Sequence, residues 1–224
     1  MRLFAIALAL LLPAAAATAA APPAPFSADY AVYQDGQPIG TGRITLRRLP
    51  DGRWEMVTRS EATQGVAALA GVRREETSVL AWGTGGPQSL SYDMRQKAAW
   101  NERRETLRVD PARRTATASY KDQRTDLPWR ADLLDRHAVT AALMAELTAG
   151  RRGEMEFAVA DRRGVETQRY RTAANVRLKT ALGTERAIRI ERLRDDDSGR
   201  VTKIWFARNR GWLPLRIKQY ESDG

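Results

Sequence analysis

The sequence predicts a mainly β fold of about eleven antiparallel strands, with one long amphipathic α-helix packed against the sheet. Three observations lead to this prediction. Apolar and polar residues alternate with period two along most of the chain, short turns rich in Gly, Asp, Asn and Pro join the alternating segments, and apolar residues recur at helical spacing in one segment. The order of these segments contains no strand–helix–strand repeat of the kind that builds parallel sheets.

Seven strands are predicted before the helix. The first two, residues 26–33 and 39–49, flank a hairpin turn at Asp35 and Gly36. In the second strand Gly40 and Gly42 share one face, which indicates a bend or a close approach of another backbone. The other five are residues 54–63, residues 73–82, the strand around Tyr92, residues 101–109 and residues 115–121.

The helix is predicted over residues 133–149. Asp132 has a side chain suited to the N-cap, Gly150 ends the pattern, and the only histidine, His137, falls inside the apolar stripe. Three strands and a closing hairpin are predicted after the helix, at residues 154–161, 165–178, 185–193, 201–206 and 213–218.

Residues 1–19 have the pattern of a cleaved secretory signal peptide. Arg2 precedes an apolar run and a stretch of alanines, and Ala17 and Ala19 satisfy the small-residue rule for cleavage after Ala19. Residues 20–25 predict a flexible leader, and residues 26–224 a single domain. Because the chain has no cysteine, it has neither a lipidation site nor a disulfide. We expect a soluble, monomeric periplasmic protein that is not a lipoprotein.

The formal net charge of the chain is +10. An excess of this size favours anionic partners such as lipid headgroups, lipopolysaccharide or peptidoglycan, although it also fits a genome that simply encodes many arginines. The cations are spread along many strands. No basic run of the kind that binds nucleic acid is present, so no nucleic-acid partner is expected.

The sequence lacks the usual machinery of catalysis. It has a single histidine and no serine in a G-x-S-x-G motif, which excludes a Ser-His-Asp triad. The acidic residues 195–197 resemble a solvated turn more than a calcium loop, because the EF-hand spacing and its final Glu are missing. We predict no enzyme activity, no cofactor and no metal site.

The apolar segment GVAALAG, residues 65–71, lies between two polar strands. It is either a lip over a cavity or a plug in the end of a barrel, and its small apolar residues favour the plug. If a cavity exists, this loop and the aromatic strands are the candidates to line it. The predicted ligand-binding residues are Val66, Leu69, Val72, Trp82, Tyr92, Met94, Trp100 and Trp205.

Four segments of the chain resemble the bacterial family known as domain of unknown function 3108. They are FSADYAVYQDGQPIGTGRITL, RREETSVLAW, VRLKTALGTERAIRIERL and VTKIWFARNRGWLPLRIKQYESDG. The resemblance implies a secreted protein with a fold similar to periplasmic lipoprotein carriers, in which a curved, half-open antiparallel β-barrel wraps a helix. It also implies a concave, partly apolar interior for an acyl chain or another hydrophobic ligand, and no enzyme activity.

Two functions remain open at this point. The first is a periplasmic binding or carrier module for a hydrophobic or amphiphilic ligand. The alternative is a non-catalytic structural or interaction protein of the cell envelope, with a protein or polyanion as its partner.

Overall fold

The computed structural model describes residues 20–194 and 199–220. The predicted signal peptide and most of the acidic turn at residues 195–199 lie outside the described residues. The described chain is mainly β, with one curled half-barrel sheet of eight strands and a second sheet of six. In this part of the chain no helix is both long and apolar enough to cross a bilayer.

The eight-stranded sheet is an antiparallel meander in which every strand pairs with the next one along the chain. Period-two alternation produces this arrangement because each hairpin brings the same apolar face of both strands to one side. The strands are β1 (Phe26–Gln34), β2 (Gln37–Arg48), β3 (Trp54–Ala62), β4 (Arg73–Gly83), β5 (Gly86–Ala98), β6 (Asn101–Asp110), β7 (Thr115–Tyr120) and β8 (Gln123–Leu127).

The six-stranded sheet also follows chain order, from β9 at one edge to β14 at the other. Its pairs are antiparallel except for β9 and β10, which run parallel. The strands are β9 (Leu133–Asp135), β10 (Glu154–Asp161), β11 (Gly164–Thr180), β12 (Gly183–Leu193), β13 (Val201–Ala207) and β14 (Leu213–Tyr220).

The prediction of about eleven strands was therefore wrong in number, because the described residues contain fourteen. The segment before the helix holds two short strands, β8 and β9. All residues of β8 except Leu127 are exposed, so this strand has no apolar alternation to reveal it. Strand β9 has only three residues, and its pairing with β10 is not encoded locally.

The prediction of one long amphipathic helix over residues 133–149 was also wrong. The main helix, α2, spans only Val139–Thr148, and seven of its ten residues are buried. It is a central helix with core on most of its sides rather than an amphipathic surface helix. Residue 138 occupies the N-cap position instead of Asp132. The predicted C-terminal end of the helix is confirmed, since Gly150 follows the helix with φ +86°.

Two shorter helical segments complete the fold. A single turn, α1 (Gly65–Leu69), connects β3 to β4, and a 3₁₀ turn (Arg208–Arg210) connects β13 to β14. The turns between β1 and β2, β5 and β6, and β7 and β8 lie at the same end of the eight-stranded sheet as α1. We call this the α1 end.

The main hydrophobic core surrounds α2 and joins both sheets. The inner face of the eight-stranded sheet is the face that contacts this core, and the outer face is the opposite one. A second cluster packs β5 to β8 against β9 and β10. Fully buried core side chains include Leu46, Met56 and Leu80 of the first sheet, Leu143, Met144 and Leu147 of α2, and Ile190 and Phe206 of the second sheet.

The close approach predicted at the glycines of β2 is confirmed at one of them. A Cβ added to Gly40 would lie 2.1 Å from the carbonyl oxygen of Glu61, whereas one added to Gly42 would make its nearest contact at an ordinary 3.5 Å. Residue 40 must therefore be glycine, because the backbone of β3 leaves no room for a Cβ atom on β2 at this position.

Candidate functional site

The eight predicted ligand-binding residues do not line one cavity. Tyr92 and Met94 are buried on the inner face in the second cluster, whereas Trp82 packs at the edge of the main core, edge-on to Trp54. Trp205 lies in a separate small cluster on the other sheet, with Leu178. The remaining four residues, Val66, Leu69, Val72 and Trp100, are at or beside the α1 end.

Sequence reasoning missed a buried polar network centred on Asp135, at the end of β9. The Asp135 side chain is fully buried and accepts four hydrogen bonds. The hydroxyls of Ser78 and Ser89 donate two at 2.8 and 2.7 Å, and the backbone N–H groups of His137 and Ala138 donate two at 2.9 Å. This carboxylate fixes the turn from β9 into α2 by binding the two backbone N–H groups that immediately precede the helix.

His137 belongs to the same network. Because the Ser78 hydroxyl donates to Asp135, its oxygen is free to accept from Nδ1–H of His137 at 2.8 Å, and Nε2 then accepts from the Thr58 hydroxyl at 2.8 Å. The neutral ring satisfies both contacts. Burial lowers the pKa of His137, although the charges of Glu76 and Asp135 act in the opposite direction.

A charged cluster lies next to the histidine on the inner face. Arg74 donates two hydrogen bonds of 2.9 Å to Glu76, and the Tyr92 hydroxyl donates a third of 2.6 Å. Arg136 donates to the Tyr92 oxygen at 2.9 Å and to Glu105 at 3.1 Å. Burial alone would raise the pKa of Glu76, but the contacts with Arg74 outweigh it and the pKa falls to about 2.

These inner-face groups are partnered with one another, so the network has the character of a structural element. Ser78 lies between Asp135 and His137, and the order of a catalytic triad, with the histidine between acid and serine, is absent from this network. The described residues contain no group of three or more acids and histidines able to hold a metal ion. A signal was present in the sequence, because Arg74, Glu76 and Ser78 occupy the core-facing positions of β4.

A depression of about 850 Å³ lies across β1 to β5 near the α1 end, and most of the residues that line it belong to the outer face. Four small residues, Ala31, Thr41, Gly42 and Ser60, are part of its lining. The charged residues that line it are six cations and three acids: Arg43, Arg59, Arg73, Arg74, Arg95 and Lys97, with Asp29, Glu61 and Glu75. Of these, Arg74 belongs to the inner-face row of β4 and is already bound to Glu76. We call it the cationic depression.

Two of its arginines are neutralised within the depression. Arg43 donates to Asp29, with a 3.0 Å contact at Nη2, and Arg59 donates two bonds of 3.1 Å to Glu75. All four side chains are at least half exposed, so solvent screens each pair and it contributes little to stability.

Arg73 and Lys97 differ from these pairs. They are directly opposite each other in the β4–β5 ladder, where Arg73 also faces Glu61 of β3 and Lys97 faces Glu102 of β6. Glu102 binds Arg95 instead, at 3.3 Å. Within the described chain, neither Arg73 nor Lys97 makes an ion pair or a hydrogen bond through its side chain. Two unpaired cations therefore lie side by side in the cationic depression.

A second, smaller depression of about 290 Å³ on β6 and β7 provides a contrast. Each of its three arginines has an acid nearby: Arg108 lies 2.9 Å from Asp93, Arg113 3.7 Å from Asp110, and Arg124 4.0 Å from Asp126. The cations of this second depression are consequently less available to an external anion than Arg73 and Lys97.

The α1 end also carries exposed apolar side chains. Trp100 is 91% exposed, Leu69 89% and Val66 82%. The sequence favoured a plug for residues 65–71, and this preference was wrong, because the large side chains of the loop point into solvent. Val72 is half-buried beneath them. We call Val66, Leu69 and Trp100 the apolar tip.

Comparison with known proteins identifies a family and a fold. A family model described as "Protein of unknown function (DUF3108)" matches residues 29–224, which confirms the family resemblance predicted from the sequence. A crystal structure of a beta-barrel-like protein of the domain of unknown function DUF1849 from Brucella abortus is similar, with a TM-score of 0.55 and 9% identity over 89% of this chain and 92% of that chain. At this identity the likeness shows the fold alone. No curated protein matches the chain.

Proposed function

The chain belongs to the DUF3108 family of proteins of unknown function, and within that family we propose that it is a non-enzymatic binding module of the cell envelope. Its ligand is an anionic amphiphile that occupies the cationic depression. We further propose that the protein is exported by cleavage after Ala19 and acts in the periplasm. In this role it would be a counterpart of the periplasmic lipoprotein carriers, to whose fold the family resemblance pointed.

We propose a site on the outer face of the half-barrel and not inside it, because the hydrophobic core fills the inner side. Helix α2 and the side chains around it occupy the inner side, where the sequence had predicted a ligand. The cationic depression is open, and its volume of about 850 Å³ falls in the range of sites for small molecules.

The single observation that carries the proposal is the unpaired pair Arg73 and Lys97. Their neighbours Arg43 and Arg59 are already bound to acids, whereas these two have hydrogen-bond donors free for a phosphate or carboxylate. The small residues in the lining of the cationic depression leave room for an alkyl chain. The aliphatic parts of the surrounding arginines provide apolar walls for that chain.

The test is binding of monomeric lysophosphatidylglycerol to residues 20–224, measured by calorimetry below the critical micelle concentration of the lipid. We expect binding that weakens at least about ten-fold in the double variant Arg73→Gln, Lys97→Gln, since each charged hydrogen bond contributes on the order of 1.5–3 kcal/mol. Lysophosphatidylcholine, which has the same chain and no net charge, should bind more weakly. The control variant Arg113→Gln, Arg208→Gln loses the same charge from exposed positions outside the depression.

Equal binding of the two lipids, or equal losses in the two double variants, would overturn the assignment of Arg73 and Lys97 as the anion site. A complete absence of binding would favour the other function.

That second function is a structural or interaction protein of the envelope. The filled inner side of the half-barrel favours it, because such a protein needs no cavity. Cross-linking in cells through a photoreactive residue at position 97 would distinguish the two: capture of a discrete envelope protein supports the interaction role, and capture of lipid supports the binding role.

A further inference from the structure

The apolar tip is the most exposed apolar feature of the described surface. Its three residues are the only large apolar side chains in the described chain that are more than 80% exposed. They come from two segments that are distant in sequence, α1 and the turn between β5 and β6. A single exposed apolar residue is normal at a protein surface, whereas three together need an explanation.

The two segments are tied together, so the exposure is built into the backbone. The N–H of Ala99 donates to the carbonyl of Ala70 at 2.6 Å. Within the α1 loop, Ala70 donates to Val66 at 2.9 Å and Val72 donates to Ala67 at 3.0 Å. The tip is therefore held outward by backbone hydrogen bonds on both sides.

Cations lie directly behind the tip. Arg73 and Lys97 form the first pair of the β4–β5 ladder at this end, and the three residue steps from Lys97 to Trp100 span at most about 10 Å. Interfacial segments bury their apolar side chains about 5–10 Å into the boundary between headgroups and acyl chains. A tip at that depth places both cations at the level of lipid phosphates.

The size and shape of the tip favour a bilayer over a folded protein as its partner. A stable protein interface buries about 800 Å² on each side around an apolar centre, and three side chains at the end of a sheet do not supply such a centre. A bilayer requires no matching shape. It accepts Trp and Leu at its interface, and anionic lipids attract cations placed beside them.

From these observations we infer that the α1 end is a membrane-docking surface: Val66, Leu69 and Trp100 insert into the interface of an anionic bilayer while Arg73 and Lys97 contact its phosphates. This inference goes beyond the binding of a single amphiphile, because the tip lies at the end of the sheet and not among the residues of the cationic depression.

The test is co-sedimentation of residues 20–224 with vesicles of equal parts phosphatidylglycerol and phosphatidylcholine, compared with vesicles of phosphatidylcholine alone. We expect binding to the anionic vesicles that falls at least about ten-fold in the triple variant Val66→Ser, Leu69→Ser, Trp100→Ser. The control is Leu182→Ser, which removes another exposed leucine, 59% exposed, from the turn between β11 and β12. Circular dichroism verifies that each variant is folded.

A second readout locates the contact. Lipids brominated on the acyl chain should quench part of the tryptophan fluorescence of the wild type, and the Trp100→Phe variant should lose that quenching. Quenching that survives in Trp100→Phe, equal binding by the triple variant, or an equal loss in Leu182→Ser would each overturn the inference.

The two proposals fail separately. The triple variant leaves Arg73 and Lys97 intact, so it should keep its affinity for monomeric lysophosphatidylglycerol. If the wild type binds that lipid but not the vesicles, membrane docking is wrong and the proposed function stands. If the wild type binds the vesicles but not the monomeric lipid, the proposed function is wrong and membrane docking stands.

Discussion

Arg73 and Lys97 face each other across the β4–β5 ladder without an ion-pair partner in the described part of the chain. Like charges directly opposite in a sheet are destabilising. The flanking acids Glu61 and Glu102 offset part of this cost, and the anion that we propose as the ligand would offset more of it.

The first prediction concerns the stability cost of this pair. Lys97→Gln should raise the free energy of unfolding by a few tenths of a kcal/mol, roughly 0.2–0.5, at low ionic strength, because it removes the repulsion with Arg73. The gain should disappear in about 0.5 M salt, where exposed charges are screened. The matched variant Arg59→Gln breaks the bonds to Glu75 and should be neutral or slightly destabilising. Urea unfolding measures both, and a loss above about 1 kcal/mol for Lys97→Gln would contradict the prediction.

The second prediction concerns the carboxylate at the entrance to α2. Asp135→Asn should lower the free energy of unfolding by about 2–4 kcal/mol, because an amide NH₂ cannot accept the hydrogen bonds that one carboxylate oxygen receives and remains unsatisfied in the core. Asp126→Asn is the control, since its side chain is 87% exposed, and it should change stability by less than about 0.5 kcal/mol. Similar effects of the two variants in urea unfolding would show that Asp135 is not a structural centre.

Local sequence patterns predicted most of the strands, because alternation and turn chemistry are encoded by neighbouring residues. They failed between β7 and α2. Leu133 and Leu134 continue the apolar stripe of the following helix, yet they lie in β9 because β10 pairs with them and Asp135 bonds the next turn. The local pattern of apolar and polar residues indicates neither of these two interactions.

The candidate site was less accessible from the sequence. Its cations occupy several strands, and the outer face is known only when the register of each ladder is known. A bulge between Val79 and Leu80 shifts the β4–β5 register, so the opposition of Arg73 and Lys97 could not be read from spacing. The tip was recognised as apolar in sequence, but its exposure depends on the contact between Ala70 and Ala99.

The third prediction uses the two glycines of β2 as a matched pair. Gly40→Ala should lower the free energy of unfolding by about 1–3 kcal/mol, because the added methyl group would overlap the carbonyl of Glu61 and force β2 from β3. Gly42→Ala should cost less than about 1 kcal/mol, since its nearest contact is ordinary. Thermal unfolding of both variants tests this prediction, and an equal effect at the two positions would contradict it.

The fourth prediction concerns acid stability. The pKa of Glu76 is about 2 in the folded protein against an ordinary 4.5, so the unfolded chain binds more protons between these values. Stability from this group is present above about pH 4.5 and is lost as the pH falls toward 2. Across that pH range the Glu76→Gln variant should lose about 2–3 kcal/mol less unfolding free energy than the wild type. The Glu75→Gln variant removes the same charge from the exposed neighbour of Glu76 and serves as the control. An equal flattening in the two variants would contradict the prediction.

The fifth prediction concerns His137, the only histidine in the chain. Because burial lowers its pKa in the folded state, the unfolded chain takes up a proton near pH 6.5 that the folded network with Ser78 and Thr58 excludes. The unfolded state then binds more protons, so stability should fall as the pH decreases from about 7.5 to 5.5, a range above the ordinary pKa of carboxylates. His137→Gln keeps a neutral polar side chain and should be less stable at pH 7.5, but its stability should be nearly constant across the range. Urea unfolding at each pH provides the measurement. A wild type whose stability rises on acidification would show that the charged imidazolium is the form held between Ser78 and Thr58.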